Sequence, residues 1–235
     1  MKKLVTTLCA FALCTLAASA AFAGATNIRI SQMYGGGGGS GGTYLYDYVE
    51  LFNPTGVAVN IGGWSLQYGS ATGTSFGSAA TNMYVFPAGT TIQPCKYLLI
   101  QCGAAGTNAV PAMPLTPDYI TSNISASATN GKIALIKNGT GANACAGNTS
   151  GAIYADVLGY GSANCYETVA AGVLTNTSVN VRKVGGMQDT DSNTADFVAT
   201  NQPVAAHNAA SPANITCLAT PATHSTWGQV KSIYR

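Results

Sequence analysis

The most chemical-looking side chains in this chain are Asp189, Asp191, Asn193 and Asp196, in the run DTDSNTAD. Spacing by two within one loop puts oxygen ligands on a common side, which suits a hard cation such as calcium. The EF-hand pattern is not met, because Thr194 stands where the sharp turn needs glycine and Thr200 where a bidentate glutamate closes the shell. Asp and Asn also serve as plain turn residues, so a structural calcium competes here with an Asx-rich turn. In either case carboxylates in a rim loop stabilise a loop and do not hydrolyse a substrate.

Ser75 is the next candidate, since GTSFG at 73–77 has the G-x-S-x-G form of a nucleophile elbow. That elbow needs a buried strand before it, a helix after it, and a histidine and an acid brought to it by the fold. Its surroundings, GSATGTSFGSAA, read as a small-residue loop, and the only histidines are His207 and His224 near the C-terminus. The run GGGGGSGG can likewise be read as G-x-G-x-x-G, but a phosphate cradle needs a helix start directly after it, and TYLYDY reads as a strand. The run is therefore expected to be a flexible hairpin loop between the first two strands. Beside it, Tyr44, Tyr46 and Tyr48 could offer aromatic contact area to a ligand or half-bury themselves in a strand. Asp47 and Glu50 fall on opposite faces of that strand, which excludes a paired-carboxylate site. No nucleophile, base or metal set for a reaction is grouped anywhere, and the chain reads as a non-enzyme with no cofactor beyond a structural calcium.

The elements that would position these residues are short strands. Period-two alternation recurs in runs separated by Gly, Asn and Pro, the pattern of an antiparallel sandwich. Val49 and Leu51 alternate with Tyr48, Glu50 and Phe52; Trp64, Leu66 and Tyr68 form another clean set, and Ile133, Leu135, Val157, Val179 and Val181 continue it. Asn53-Pro54-Thr55-Gly56 and Asn60-Ile61-Gly62-Gly63 are turns between strands. No run keeps helical periodicity over three turns. The fold expected is all-β, with the sandwich spanning 24–205 and a linker and tail over 206–235 that ends in TWGQVKSIYR.

Residues 1 to 23 carry Lys2 and Lys3, an apolar stretch from Leu4 to Leu16 and an Ala21-Phe22-Ala23 ending, the three parts of a secretory signal with cleavage before Gly24. The apolar part is too short to span a bilayer, and no other transmembrane segment is readable. Secretion or display at the cell surface follows. Of the ten Lys and Arg, two lie in the signal, which leaves eight against eight Asp and Glu. A formally neutral chain without a basic cluster is poor material for tracking phosphates, which excludes non-specific nucleic-acid binding as the default reading.

Five cysteines follow the signal: Cys95, Cys102, Cys145, Cys165 and Cys217. An oxidising compartment favours two disulfides and one thiol left over. Cys95 and Cys102 flank the strand KYLLIQ, about 23 Å apart at roughly 3.3 Å per residue, whereas a disulfide needs Cα atoms within about 7 Å. Those two should not pair. The expected bridge is Cys145 to Cys165, with Cys217 tying the tail to Cys95 or Cys102. CxxC spacing, which would suggest zinc, is absent.

The stretch from Ile28 to Tyr68 resembles the bacterial form of the lamin tail domain, on ISQMYGGGGGSG, the patch Tyr46-Asp47-Tyr48, VELFNPT, the turn before GGWSLQY, and FPAGTTIQPCKYLLIQ beyond it. A weaker match covers SVNVRK, DTDSNTADF and TNQPVAAHN. The resemblance implies a small immunoglobulin-like β-sandwich, lamin-tail-like, acting as a monomeric binding or adhesion module toward an extracellular protein or polysaccharide. A second reading comes from the same family, whose bacterial members are often joined to extracellular nuclease or phosphatase domains: a nucleic-acid or substrate-targeting accessory. A third, a hydrolase, would need His207 or His224 beside a carboxylate and Ser75.

Overall fold

The computed structural model describes residues 28–77, 81–107, 109–142 and 153–218; the expected signal at 1 to 23, Cys145, His224 and the closing TWGQVKSIYR lie outside them. The alternating runs form twelve strands among the described residues: β1 (Arg29–Tyr34), β2 (Asp47–Phe52), β3 (Val59–Asn60), β4 (Ser65–Gly69), β5 (Met83–Val85), β6 (Thr91–Ile92), β7 (Tyr97–Cys102), β8 (Tyr119–Thr121), β9 (Gly131–Ile136), β10 (Tyr154–Tyr160), β11 (Ser178–Arg182) and β12 (Phe197–Asn201). Two single-turn helices, α1 (Asn193–Asp196) and α2 (Ile215–Leu218), accompany them.

A six-stranded sheet ordered β12-β11-β1-β2-β7-β8 faces a four-stranded sheet ordered β10-β9-β4-β5. Every pairing in them is antiparallel except β7 with β8, which is parallel. The register puts Val49 opposite Ile100 and Leu51 opposite Leu98. These inward positions meet Leu66, Ile133, Leu135 and Leu158 of the other sheet in one apolar core. Burying each such side chain contributes about 1.5–3 kcal/mol, so the alternation read from the sequence is also the main stabilising feature.

An antiparallel sheet of this kind normally leaves one face to water, yet β1, β2 and β7 are buried at every position. The cause is the chain after β12, which crosses the outer face as a strap. Gln32 Nε2 donates to Ala205 O at 2.7 Å and Gln202 Nε2 to the Tyr48 hydroxyl at 2.6 Å. Lys96 Nζ holds Ser211 O, Asn214 N donates to Cys95 O at 2.8 Å, and a disulfide joins Cys95 to Cys217. The segment 206–218 is therefore held against the sandwich and is not a free linker, through Ala206 in the outer apolar cluster, His207 on Glu50, Asn208 on Thr116 O, Asn214 on the Tyr97 hydroxyl and the Cys95–Cys217 bridge. Of the expected cysteine pairings, Cys95–Cys217 is present and Cys102 is a buried free thiol. Cys165 is disulfide-bonded, while Cys145, its expected partner, lies outside the described residues.

The glycine run is not a flexible loop. A Cβ added at Gly36 would lie 2.2 Å from Asn176 O, and one at Gly37 would lie 2.1 Å from the Tyr46 carbonyl carbon. Gly38 has φ +70° and packs against Gly106. Backbone meets backbone here so closely that only residues without a side chain fit.

Candidate functional site

The Asp-rich run does not converge as its spacing suggests. Asn193 and Asp196 are fully buried at the start and end of α1, whereas Asp189 and Asp191 are exposed, and Asp191 adopts φ 54°. Asn193 turns inward: its Oδ1 accepts the Gly159 and Glu167 amides at 2.9 and 3.2 Å, and its Nδ2 donates to Val157 O at 2.8 Å and Glu167 Oε2 at 3.0 Å. Asp196 accepts from Thr190 N, Thr190 Oγ1 and Ser192 N, the bonds of a turn. A different trio, Glu167, Asp189 and Asp196, brings carboxylate oxygens within 4.8 Å of one another. Arginines supply the positive charge a metal would bring. Arg182 Nη1 lies 3.6 Å from Asp189 and 3.7 Å from Asp196, and Arg29 Nη2 lies 2.9 Å from Asp189. Burial and then the charge of Asp156 push the Glu167 carboxyl up to about 9, so it keeps its proton at neutral pH.

Arg182 is the centre that sequence reasoning missed. Its Nη2 bonds Asp156 Oδ2 on the opposite sheet at 2.6 Å, its Nε donates to Ile30 O at 2.8 Å, and its guanidinium lies 4.4 Å from the Phe197 ring. Asp156 Oδ2 also accepts the Ile30 amide at 2.6 Å. One buried ion pair thus ties the two sheets. The signal was present in SVNVR: Ser178, Asn180 and Arg182 share a face, and Val179 and Val181 take the other. The valines pack in the outer cluster under the strap, and the polar set faces inward.

Of the three tyrosines expected at a ligand surface, Tyr44 and Tyr48 are buried with Tyr34, Leu99 and Val179, and only Tyr46 is half-exposed. Tyr34 and Tyr48 lie 5.5 Å apart, and Tyr34 and Tyr44 meet edge to face at 5.7 Å. These two rings cover each other and the sheet, which leaves them no face for a ligand. Asp47 beside them accepts the Gly37 and Ala126 amides at 2.8 and 3.0 Å. Burial nevertheless raises its carboxyl to about 7.

The strap brings His207 to Glu50. His207 N donates to Glu50 Oε2 at 2.5 Å, Nδ1 lies 3.2 Å from the same oxygen, and Ser31 Oγ donates to Oε1 at 2.6 Å. Tyr97 stacks on the imidazole at 4.2 Å. A cavity of about 110 Å³ lies inside this group, and an apolar one of about 360 Å³ lies outside it, beside Pro212 and Ile215. The hydrogen bond to Glu50 raises His207 against the effect of burial. The residue types are those of a hydrolytic triad, but the acid stands between Ser31 and His207, whereas a triad needs the imidazole between serine and acid. Ser75 sits past the end of β4 in the other sheet, in an open cleft of about 330 Å³ with Tyr68, Phe76 and Asn82, and among the described residues no histidine is bonded to it.

Two facing sheets, an apolar core between them and a covering strap define an immunoglobulin-like β-sandwich. The lamin tail domain family matches residues 22–161, and the chain belongs to that family, a family of non-catalytic domains. β11, β12 and the strap, which complete the large sheet and its cover, come after the matched stretch. The structure is similar to the crystal structure of a DUF4876 family protein from Bacteroides thetaiotaomicron VPI-5482, with TM-score 0.50 and 12% identity over 74% of this chain and 71% of that one. At that identity the likeness is one of fold. No curated protein matches the chain. Among the described residues no helix is long and apolar enough to cross a membrane.

Proposed function

We propose that the chain is a non-catalytic secreted or cell-surface module that binds or adheres to an extracellular protein or polysaccharide. The observation that carries this reading is how the reactive side chains are used. Arg182, Asp156, Asp196, Glu50 and His207 all direct their hydrogen bonds to groups of the chain itself, so they hold the fold, and among the described residues no reactive set is left facing a substrate. A nuclease-accessory role ranks second: Arg29, Arg182 and Lys132 are buried, which leaves still fewer cations to meet phosphates.

The test is co-sedimentation of residues 24–235 with intact bacterial cells and with isolated envelope polysaccharide, at low and high salt. Retention that salt leaves unchanged is expected. Retention on DNA that falls steeply with salt would move the chain to the accessory role. Turnover of an ester or phosphodiester substrate, lost in Ser75→Ala or His207→Ala, would overturn the non-catalytic reading.

A further inference from the structure

We propose that the cleft past the end of β4 binds a neutral sugar unit of an extracellular glycan. This rests on reading the chain as a binding module and names the surface and the ligand class. The cleft is about 330 Å³ in volume, room for one sugar ring and part of a second.

Four of its polar side chains are unspent. Ser70, Ser75 and Ser125 are exposed and Asn82 is half-exposed, and among the described residues none of these four side chains makes a hydrogen bond. Three hydroxyls and one carboxamide that donate and accept at the rim match the vicinal hydroxyls of a sugar. Tyr68 and Phe76 close the floor with their rings almost wholly covered, so the contacts offered to a sugar are the polar ones of the rim.

The walls are fixed before any ligand arrives. Tyr68 N donates to Asn82 O at 2.8 Å, Asn82 N to Asn123 O at 2.6 Å, and Phe76 N to Ala142 O at 3.1 Å. The Tyr68 hydroxyl accepts the Ser127 amide at 3.0 Å. Gly73 O is held by the buried Lys132 ammonium and by Asn164 Nδ2. A preformed site loses little conformational entropy on binding.

The same features exclude other ligands. No carboxylate lines the cleft, so it has nothing for a metal ion. Among the described residues the cation beside the cleft, Lys132, is turned to Gly73 O and to Asn164 Oδ1 at 2.6 Å, so it offers neither phosphate nor uronate a free charge.

The experiment is titration of uniformly 15N-labelled residues 24–235 with glucose, galactose, mannose and N-acetylglucosamine, with glucuronate as the charged control. At least one neutral sugar is expected to shift the amides of residues 69–76, 82 and 125, saturating with Kd on the order of 1 mM. The double variant Ser75→Ala/Ser125→Ala, folded by its unchanged Tm, should bind about tenfold more weakly. Shifts from none of the four sugars, from glucuronate alone or away from the cleft would overturn the proposal, as would unweakened binding by the double variant. Retention on envelopes without cleft shifts sinks only the cleft; loss of both sinks the module reading as well.

Discussion

The Arg182 cluster and the Ser75 cleft are both rich in polar side chains, and they use them in opposite ways. Around Arg182 most polar groups are answered from within: Asp156 by Arg182 and the Ile30 amide, Asn193 by two amides, a carbonyl and Glu167; among the described residues only Arg29 Nε and the Asn180 carboxamide are buried without a hydrogen-bond partner. Around Ser75 the backbone is bonded, while the side chains of Ser70, Ser75, Asn82 and Ser125 make no hydrogen bond among the described residues. Burial explains the difference. A desolvated polar group left unpaired costs about 1–3 kcal/mol, so most groups between the two sheets find partners in the chain, while groups at a rim can wait for a ligand. The Glu50–His207 pair under the strap lies between these extremes, with the acid buried and the imidazole about one-third exposed.

The largest effect that tests this contrast is expected from Arg182→Ala. It leaves Asp156 and Asp196 as buried charges without their partner and should cost about 3–5 kcal/mol in urea unfolding; a variant with wild-type stability would end the structural account of the cluster. Gly37→Ala should follow at about 1–3 kcal/mol, since its Cβ must push backbone aside. If the run GGGGGSGG were only a hinge, that substitution would be silent.

Stability should also fall as pH rises. Asp47 has its carboxyl raised from 3.8 to about 7, and Glu167 from 4.5 to about 9. Each binds its proton more tightly folded than unfolded, so its contribution is most favourable below the ordinary value and declines as pH climbs to the raised one. His207, also raised, contributes fully below 6.5 and loses that contribution through its folded value. All three favour the acid side, each by at most about 1.4 kcal/mol per pH unit. Unfolding midpoints between pH 4 and 7 should slope less in Asp47→Asn. Sugar binding in the cleft, whose unpaired hydrogen-bonding side chains are hydroxyls and a carboxamide, should stay level over the same range.

Smaller effects separate the two regions further. Calcium should not raise Tm, because arginines already answer the acidic trio; a rise that vanishes in Asp191→Ala would restore the Asp-rich loop as a cation site. Ser75→Ala should leave stability within about 0.5 kcal/mol of wild type while weakening any sugar contact. A large loss of stability there would show that the rim hydroxyl is structural after all.

Much of the sandwich was legible because alternation reports which side of a strand is inside. Val49, Leu51, Leu66 and Tyr68 lie in the core as their spacing says. Val179 and Val181 show the limit of that rule: their alternation is clean, yet they face outward beneath the strap. Periodicity separates two faces without saying which one is covered. Asp189 and Asp196 were legible as acids of one loop, but their answering charges, Arg29 and Arg182, come from β1 and β11, and Arg182 is shared with Asp156 of the other sheet. Spacing along the chain carries no information about such partners.

By itself the sequence determined the all-β class, most strand segments, the turn glycines and the poverty of charge, since these follow from local periodicity, backbone freedom and composition; TYLYDY, read as a strand, bends over 43–46 before β2 begins at Asp47. Only the tertiary structure decided that the chain after β12 covers the large sheet, that Cys217 joins Cys95, that Arg182 ties the sheets, and that Ser70, Ser75 and Ser125 keep their hydroxyls unspent at one cleft. Each of those depends on groups far apart in the chain meeting in space, where burial and hydrogen-bond satisfaction choose the partners.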